Sequence, residues 1–203
     1  MRLLAFISYI FFAINLFAED WPRWRGVRGD GTWLGPKILQ EMPEDGLRRV
    51  WKAPLNPGYS GITVKGARVY TMDRPSIEEF GEKERVVCFN ALNGKALWHF
   101  EYPSEYRNLS YGKGPRASLT LHEGKVFGFG AMGHVFCLNA KDGKKLWFRD
   151  LLSEENATMP IWGFSGSPEV SNGELLMHVG ARPVGSVLAL DLDTGQTKWR
   201  VGV

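Results

Sequence analysis

Apolar and polar residues alternate in short runs along most of the chain, and the runs come in pairs. SGITVKGARVY (Ser60 to Tyr70), ASLTLHEGKVF (Ala117 to Phe127) and GSPEVSNGELL (Gly166 to Leu176) match position for position. Each holds an alternating stretch, a two-residue turn and a second alternating stretch. The turns are Gly66-Ala67, Glu123-Gly124 and Asn172-Gly173. Period-two alternation predicts strands with one buried face, and Asn-Gly between such strands is the strongest short hairpin signal. A second block follows each hairpin: CFNALNGKALW (Cys88 to Trp98), CLNAKDGKKLW (Cys137 to Trp147) and ALDLDTGQTKW (Ala189 to Trp199). Without gaps, Val86, Val135 and Val187 coincide. So do Cys88, Cys137 and Ala189, then Asn90, Asn139 and Asp191, then Gly94, Gly143 and Gly195.

One unit therefore reads strand, tight turn, strand, loop, strand, glycine-bearing turn, strand with Trp. Trp51, Trp98, Trp147 and Trp199 are 47, 49 and 52 residues apart, so the unit is a four-stranded antiparallel sheet repeated along the chain. Radial arrays of such sheets are β-propellers, and the predicted fold is all-β. The signature has a mechanical reading. Asn90, Asn139 and Asp191 accept backbone N–H groups of the turn ahead. Gly94, Gly143 and Gly195 take positive φ where a Cβ would clash. The Trp ring lies across the junction with the next sheet.

Composition adds little chemistry. The net charge is +3 from 25 Lys and Arg against 22 Asp and Glu, with the basic residues scattered, which gives no footprint for nucleic acid. Met1-Arg2 followed by the apolar run Leu3 to Phe17 and then Ala18 predicts a signal peptide over residues 1–18, cleaved near Ala18. The run is shorter than the ~20 residues of a membrane span. The expectation is a periplasmic or secreted chain with no transmembrane segment after cleavage. Residues 19–59 form an N-terminal segment in which Trp51 marks the outer strand of a closing blade, and residues 60–203 carry the repeats. Cys88 and Cys137 hold one position in successive sheets. Packed sheets lie about 10 Å apart, too far for a disulfide, so both are expected as buried free thiols.

The motif Ala-x-Asp-x-x-x-Gly-x-x-x-Trp, complete in Ala189 to Trp199 and present with Cys for Ala and Asn for Asp in the other two units, is the tryptophan-docking motif of quinoprotein propellers. The chain resembles the PQQ-like (pyrrolo-quinoline quinone-like) β-propeller repeat family. That family includes quinoprotein alcohol dehydrogenases and the outer-membrane assembly lipoprotein of the BAM complex. DWPRWRG (Asp20 to Gly26), YGKGPRAS (Tyr111 to Ser118) and WGFSGSP (Trp162 to Pro168) look like a secreted planctomycete-type group within it. The resemblance implies seven or eight blades, of which this chain supplies about three and a half. WD40 propellers are the rival, but the repeated Trp is followed by His99, Phe148 and Arg200, never by Asp.

Ligands of such rings bind where loops enter the innermost strands. The entries here are Pro57 to Gly61, Gly112 to Ser118 and Trp162 to Pro168, with Tyr59, Arg116 and Ser165 at one aligned position. The candidate ligand-facing residues are Tyr59, Ser60, Arg116, Trp162, Phe164 and Ser165: Arg116 to pair with an anion, Trp162 and Phe164 to stack. Trp162 and Phe164 capping the core, and Arg116 tying loops, is the competing reading. A quinoprotein dehydrogenase would need an adjacent Cys-Cys pair and a Ca²⁺ held by Glu, Asn and Asp. No Cys-Cys occurs, and Glu78, Glu79, Glu82 and Glu84 read as a solvated loop run. No catalytic set, metal site or cofactor is evident. The leading expectation is a noncatalytic binding or scaffolding module for a protein or polymer ligand. The alternative is a dehydrogenase using PQQ with Ca²⁺. Trp21, Trp24 and Trp33 are expected to pack on the propeller rim.

Overall fold

The computed structural model describes residues 18–75, 82–155, 157–181 and 185–202. The expected signal peptide (but for Ala18), Glu78 and Glu79 lie outside the described residues. Twelve strands and one short helix follow in chain order: β1 (Thr63–Lys65), β2 (Arg68–Asp73), β3 (Lys83–Asn90), β4 (Ala96–Pro103), β5 (Thr120–His122), β6 (Lys125–Phe129), β7 (His134–Asn139), β8 (Lys145–Asp150), α1 (Leu151–Glu154), β9 (Glu169–Ser171), β10 (Glu174–Ala181), β11 (Gly185–Asp191) and β12 (Thr197–Val201). They form three four-stranded sheets in the orders β1-β2-β3-β4, β5-β6-β7-β8 and β9-β10-β11-β12. Every pairing is antiparallel. This is a nearly all-β, incomplete propeller with one repeat unit per blade.

The hairpin turns follow their sequences. Glu123-Gly124 and Asn172-Gly173 have positive φ at both central residues, as a type I′ turn requires, whereas Gly66 alone is positive in its turn, the type II′ pattern. Alternation then sends neighbouring side chains into different seams. Val126, Phe136 and Leu138 of the second blade pack with Tyr70, Met72, Val86 and Cys88 of the first. Phe127, Phe129, Val135 and Cys137 pack with Leu175, Met177, Leu188 and Leu190 of the third. Cys88 and Cys137 are free and buried. Burial raises both thiols above their ordinary value, Cys137 to about 12, so neither is a ready nucleophile.

The tryptophans follow one rule with an exception at the end of the series. The Trp51 indole N–H donates to Ala91 O at 2.7 Å, and a Cβ on Gly94 would sit 2.6 Å from its ring. Trp98 donates to Ala140 O at 3.2 Å and covers Gly143. Trp147 donates to Leu192 O at 3.0 Å and covers Gly195. Each ring thus leaves its own unit and lies on the glycine of the next. Gly94, Gly143 and Gly195 have φ of +70°, +74° and +71°, so both backbone and ring contact demand glycine. Asn90, Asn139 and Asp191 accept the N–H groups of Leu92, Lys141 and Asp193. Within each blade the small residue Cys88, Cys137 or Ala189 sits directly across from the Trp. Trp199 departs from the rule. It is 38% exposed and donates to Glu174 Oε2 of its own blade, and its ring lies on no glycine among the described residues.

Residues around Trp51 carry no strand pairing among the described residues, and the Trp51 ring docks on the first blade. One expectation for the N-terminal segment needs correction. Trp21 lies on the inner edge rather than the rim. Its N–H and C=O exchange 2.9 Å bonds with Val64 on the free edge of β1. Asp20 accepts Gly66 N, Pro22 O accepts Leu121 N of β5, and Arg23 pairs with Glu169 of β9. Residues 20–23 are therefore a strap across the inner strands of three blades. Trp24 and Trp33 are largely exposed.

Candidate functional site

The inner strands β1, β5 and β9 all run in one direction, from the loop-bearing face to the face of tight turns. The loop-bearing face collects the segments before those strands, and backbone contacts bring them together. Tyr59 N donates to Pro115 O at 2.8 Å, and Arg74 N to Pro57 O at 2.9 Å. A Cβ on Gly114 (φ +143°) would approach Gly58 Cα at 2.8 Å, so the two loops come this close only because position 114 is glycine. Ser110 N reaches Ile161 O, and Ser118 N reaches Ser167 Oγ, which draws in the third loop.

The result is a cavity of about 330 Å³ lined by Tyr59, Tyr111, Arg116, Trp162 and Ser165. Four of the six candidate residues meet there: Tyr59, Arg116, Trp162 and Ser165. Tyr59 and Tyr111 have ring centroids 5.4 Å apart at 47°. The Arg116 guanidinium lies 5.5 Å above the Tyr59 ring and donates to the carbonyls of Gly112 (2.6 Å) and Gly114. Its hydrogen-bond partners among the described residues are thus neutral, and no acidic side chain lines the cavity. Trp162 is 64% exposed.

The other two candidates lie elsewhere. Phe164 is buried, its ring 4.7 Å from Phe129, so it caps the core and cannot stack on a ligand. Gly163 between it and Trp162 has φ +75°, which turns one aromatic inward and leaves the other out. Ser60 Oγ is buried with no hydrogen-bond partner among the described residues and does not line the cavity. Tyr111, which belongs to the site, opens the quoted stretch YGKGPRAS but carried no signal beyond its aromatic character.

A second polar group was misread from the sequence. Glu84 is fully buried, not solvated. Its carboxylate accepts the Tyr102 and Tyr106 hydroxyls and, at 3.0 Å, the N–H of Ala131 in the next blade. Burial first, and the adjoining carboxylate second, raise both phenols well above their ordinary value. Burial also holds the His134 imidazole below its ordinary value, against the pull of Asp150 and Glu84. Glu82 pairs with Arg74 and Lys113. The Glu84 and Glu82 contacts tie the first two blades, while the buried Arg74 Nε and His134 Nδ1 have no hydrogen-bond partner among the described residues.

Neither site matches what a quinone with calcium would require. Among the described residues no group of three or more His, Cys, Asp and Glu side chains is placed to hold a metal ion. Glu84 has its oxygens committed to two phenols and an amide, and the cavity presents a cation where a calcium site needs carboxylates.

Comparison with known proteins agrees with this geometry at the level of fold. Residues 82–203 match the family model PQQ_2, described as outer membrane protein assembly factor BamB. No curated protein matches the chain. Among solved structures, quinohemoprotein alcohol dehydrogenase from Comamonas testosteroni is 19% identical with TM-score 0.57, covering 89% of this chain and 27% of that one. Quinohemoprotein alcohol dehydrogenase ADHIIG from Pseudomonas putida HK5 is 21% identical with TM-score 0.51, covering 75% and 22%. BamB from Moraxella catarrhalis is 16% identical with TM-score 0.48, covering 74% and 38%. The chain spans well under half the length of each.

Proposed function

The chain belongs to the PQQ_2 family of BamB-type repeats, and from that premise we propose that it is a noncatalytic binding module whose loop-bearing channel mouth takes a protein or polymer ligand. The carrying observation is the gathering of Tyr59, Tyr111, Arg116 and Trp162 around one cavity by three separate blades. Exposed aromatic rings beside a cation are recognition chemistry. They are not an acid–base pair or an activated nucleophile, and the nearby Glu84, Tyr102 and Tyr106 are committed to one another.

Export fits the same reading. The apolar run ending at Ala18 supports a leader, and Glu19 directly after it is built into the fold. Its carboxylate clamps Arg28 at 2.6 and 2.8 Å, and its N–H donates to Leu34 O. The site of action is then periplasmic or extracellular. The exposed Trp199 supports further blades beyond the third, since its ring lacks the glycine on which the other three lie.

Two measurements test the proposal. The full chain supplied with PQQ and Ca²⁺ is expected to give no dye-linked oxidation of alcohols or sugars; quinone-dependent turnover would replace this reading with a dehydrogenase. Trp162→Ala is expected to weaken ligand capture by about tenfold or more while the fold, read by circular dichroism, is unchanged.

A further inference from the structure

Resting on that reading of the channel mouth, we infer that its ligand is a glycan carrying acidic sugar rings. Three features of the cavity point to this chemistry. The first is the form of the aromatic surface. A flat arene held between two rings needs about 7 Å between parallel faces, twice the contact distance of carbon atoms. Tyr59 and Tyr111 are tilted by 47° at 5.4 Å and leave no such slot. Trp162 makes no ring–ring contact among the described residues and stands 64% exposed. The site therefore offers one-sided platforms, which suit the C–H face of a pyranose better than an intercalated aromatic.

The second feature is polar. The Trp162 indole N–H has no acceptor among the described residues. Ser165 and Tyr111 are exposed, so their hydroxyls stand open at the cavity. An apolar platform edged with donors and hydroxyls complements a ring whose faces are C–H and whose edges are hydroxyl.

The third feature is charge. Arg116 is half-buried, its orientation fixed by the Gly112 and Gly114 carbonyls and the Tyr59 face. It takes part in no ion pair among the described residues, and the lining holds no carboxylate. A cation so placed favours an anionic group on the ligand, through a charge-assisted hydrogen bond in a partly dry site. A carboxylate on the sugar meets that requirement, and a neutral glycan does not use it.

The ligand is able to reach this mouth, and the strap of residues 20–23 lies across the inner strands toward the other. A terminal or looped sugar entering from the loop-bearing face fits a cavity of this size.

The test is calorimetric titration of the full chain with trigalacturonate and with the neutral galactose trimer. The acidic trimer is expected to bind at least about tenfold more tightly, a factor equal to about 1.4 kcal/mol. Trp162→Ala should weaken the acidic trimer by a similar factor. Arg116→Gln, which removes the charge, should remove most of the preference for acid. Because Arg116 also ties its loop, thermal melting of that variant checks that it folds, and Trp162→Ala, at an exposed position, tests the site independently. Equal binding of the two trimers, or no binding of either at millimolar concentration, overturns the inference. If a peptide ligand is instead captured through Trp162, the glycan assignment falls while the channel mouth stands as a binding surface. If Trp162→Ala alters capture of no ligand, both fall.

Discussion

The two faces of the propeller are built from different kinds of sequence. On the turn face, Asn90 to Lys95, Asn139 to Lys144 and Asp191 to Gln196 repeat one conformation, down to the same bond from glycine N–H to the Asn or Asp carbonyl at 2.9 Å. On the loop face no two connections are alike. The connection after β4 carries Tyr106 of the Glu84–Tyr102–Tyr106 tie, and the one after β8 carries both the short helix α1 and the exposed Trp162. Repetition marks where a blade must meet its neighbour, and its loss marks where the molecule is free to differ from its relatives. Stability should therefore be most sensitive to change on the turn face and binding to change on the loop face.

The largest expected effect is at Gly143. A Cβ there would lie 2.5 Å from the Trp98 ring at a φ of +74°, so Gly143→Ala should displace the ring and cost several kcal/mol, about what a cavity or overpacking lesion costs. Gly124→Ala has the same φ and open space around it. It should cost only the left-handed strain, about 1–2 kcal/mol. Urea denaturation of the pair separates contact from conformation; equal losses would mean the rings do not hold the seams.

Next comes Trp147→Ala, expected to lose about 3–5 kcal/mol because the ring is 8% exposed in a packed seam. Trp199→Ala, without a seam, should lose well under half of that. On the loop face Glu84→Leu should cost a comparable ~3 kcal/mol, by stranding two buried phenols and the Ala131 N–H. That result would show that the loop face has its own structural tie.

A smaller effect is acid sensitivity. Burial works against ionised Glu155, but bonds from Arg149 and Thr197 and the charge of Arg200 outweigh it and hold its carboxyl below the ordinary value. A depressed folded-state value stabilises the protein above the ordinary carboxylate range, and that contribution is lost as pH falls through it. Melting temperature should thus decline below about pH 4.5, the ordinary glutamate value, and less steeply in Glu155→Gln. The smallest expected change in stability, within ~0.5 kcal/mol, is at Trp162→Ala.

The blades were readable because alternation, turn chemistry and the Gly-x-x-x-Trp spacing agree with one another. The loop face was harder. Glu84 sits in an acidic run that looks solvated, yet it shares a strand face with Val86 and Cys88, both buried; alternation carried the information and charge obscured it. Trp162 and Phe164 are two residues apart with opposite fates, decided by the positive φ of Gly163 and by Phe129 far away in sequence. The aligned position of Tyr59, Arg116 and Ser165 did place three residues at one cavity, because the ring maps equivalent positions onto equivalent places.

The strap ties the beginning of the molecule to its far side. Asp20 and Trp21 meet the first sheet, Pro22 the second and Arg23 the third, at Glu169. These residues leave the ribosome early and find their last anchor only at Glu169, on the third blade. Docking them is a late event of high sequence separation, which slows folding. Until it happens the inner strand edges stand open to other chains. Bulky fusions at the N-terminus should therefore lower the yield of monomer during refolding, even where they leave the finished protein undisturbed.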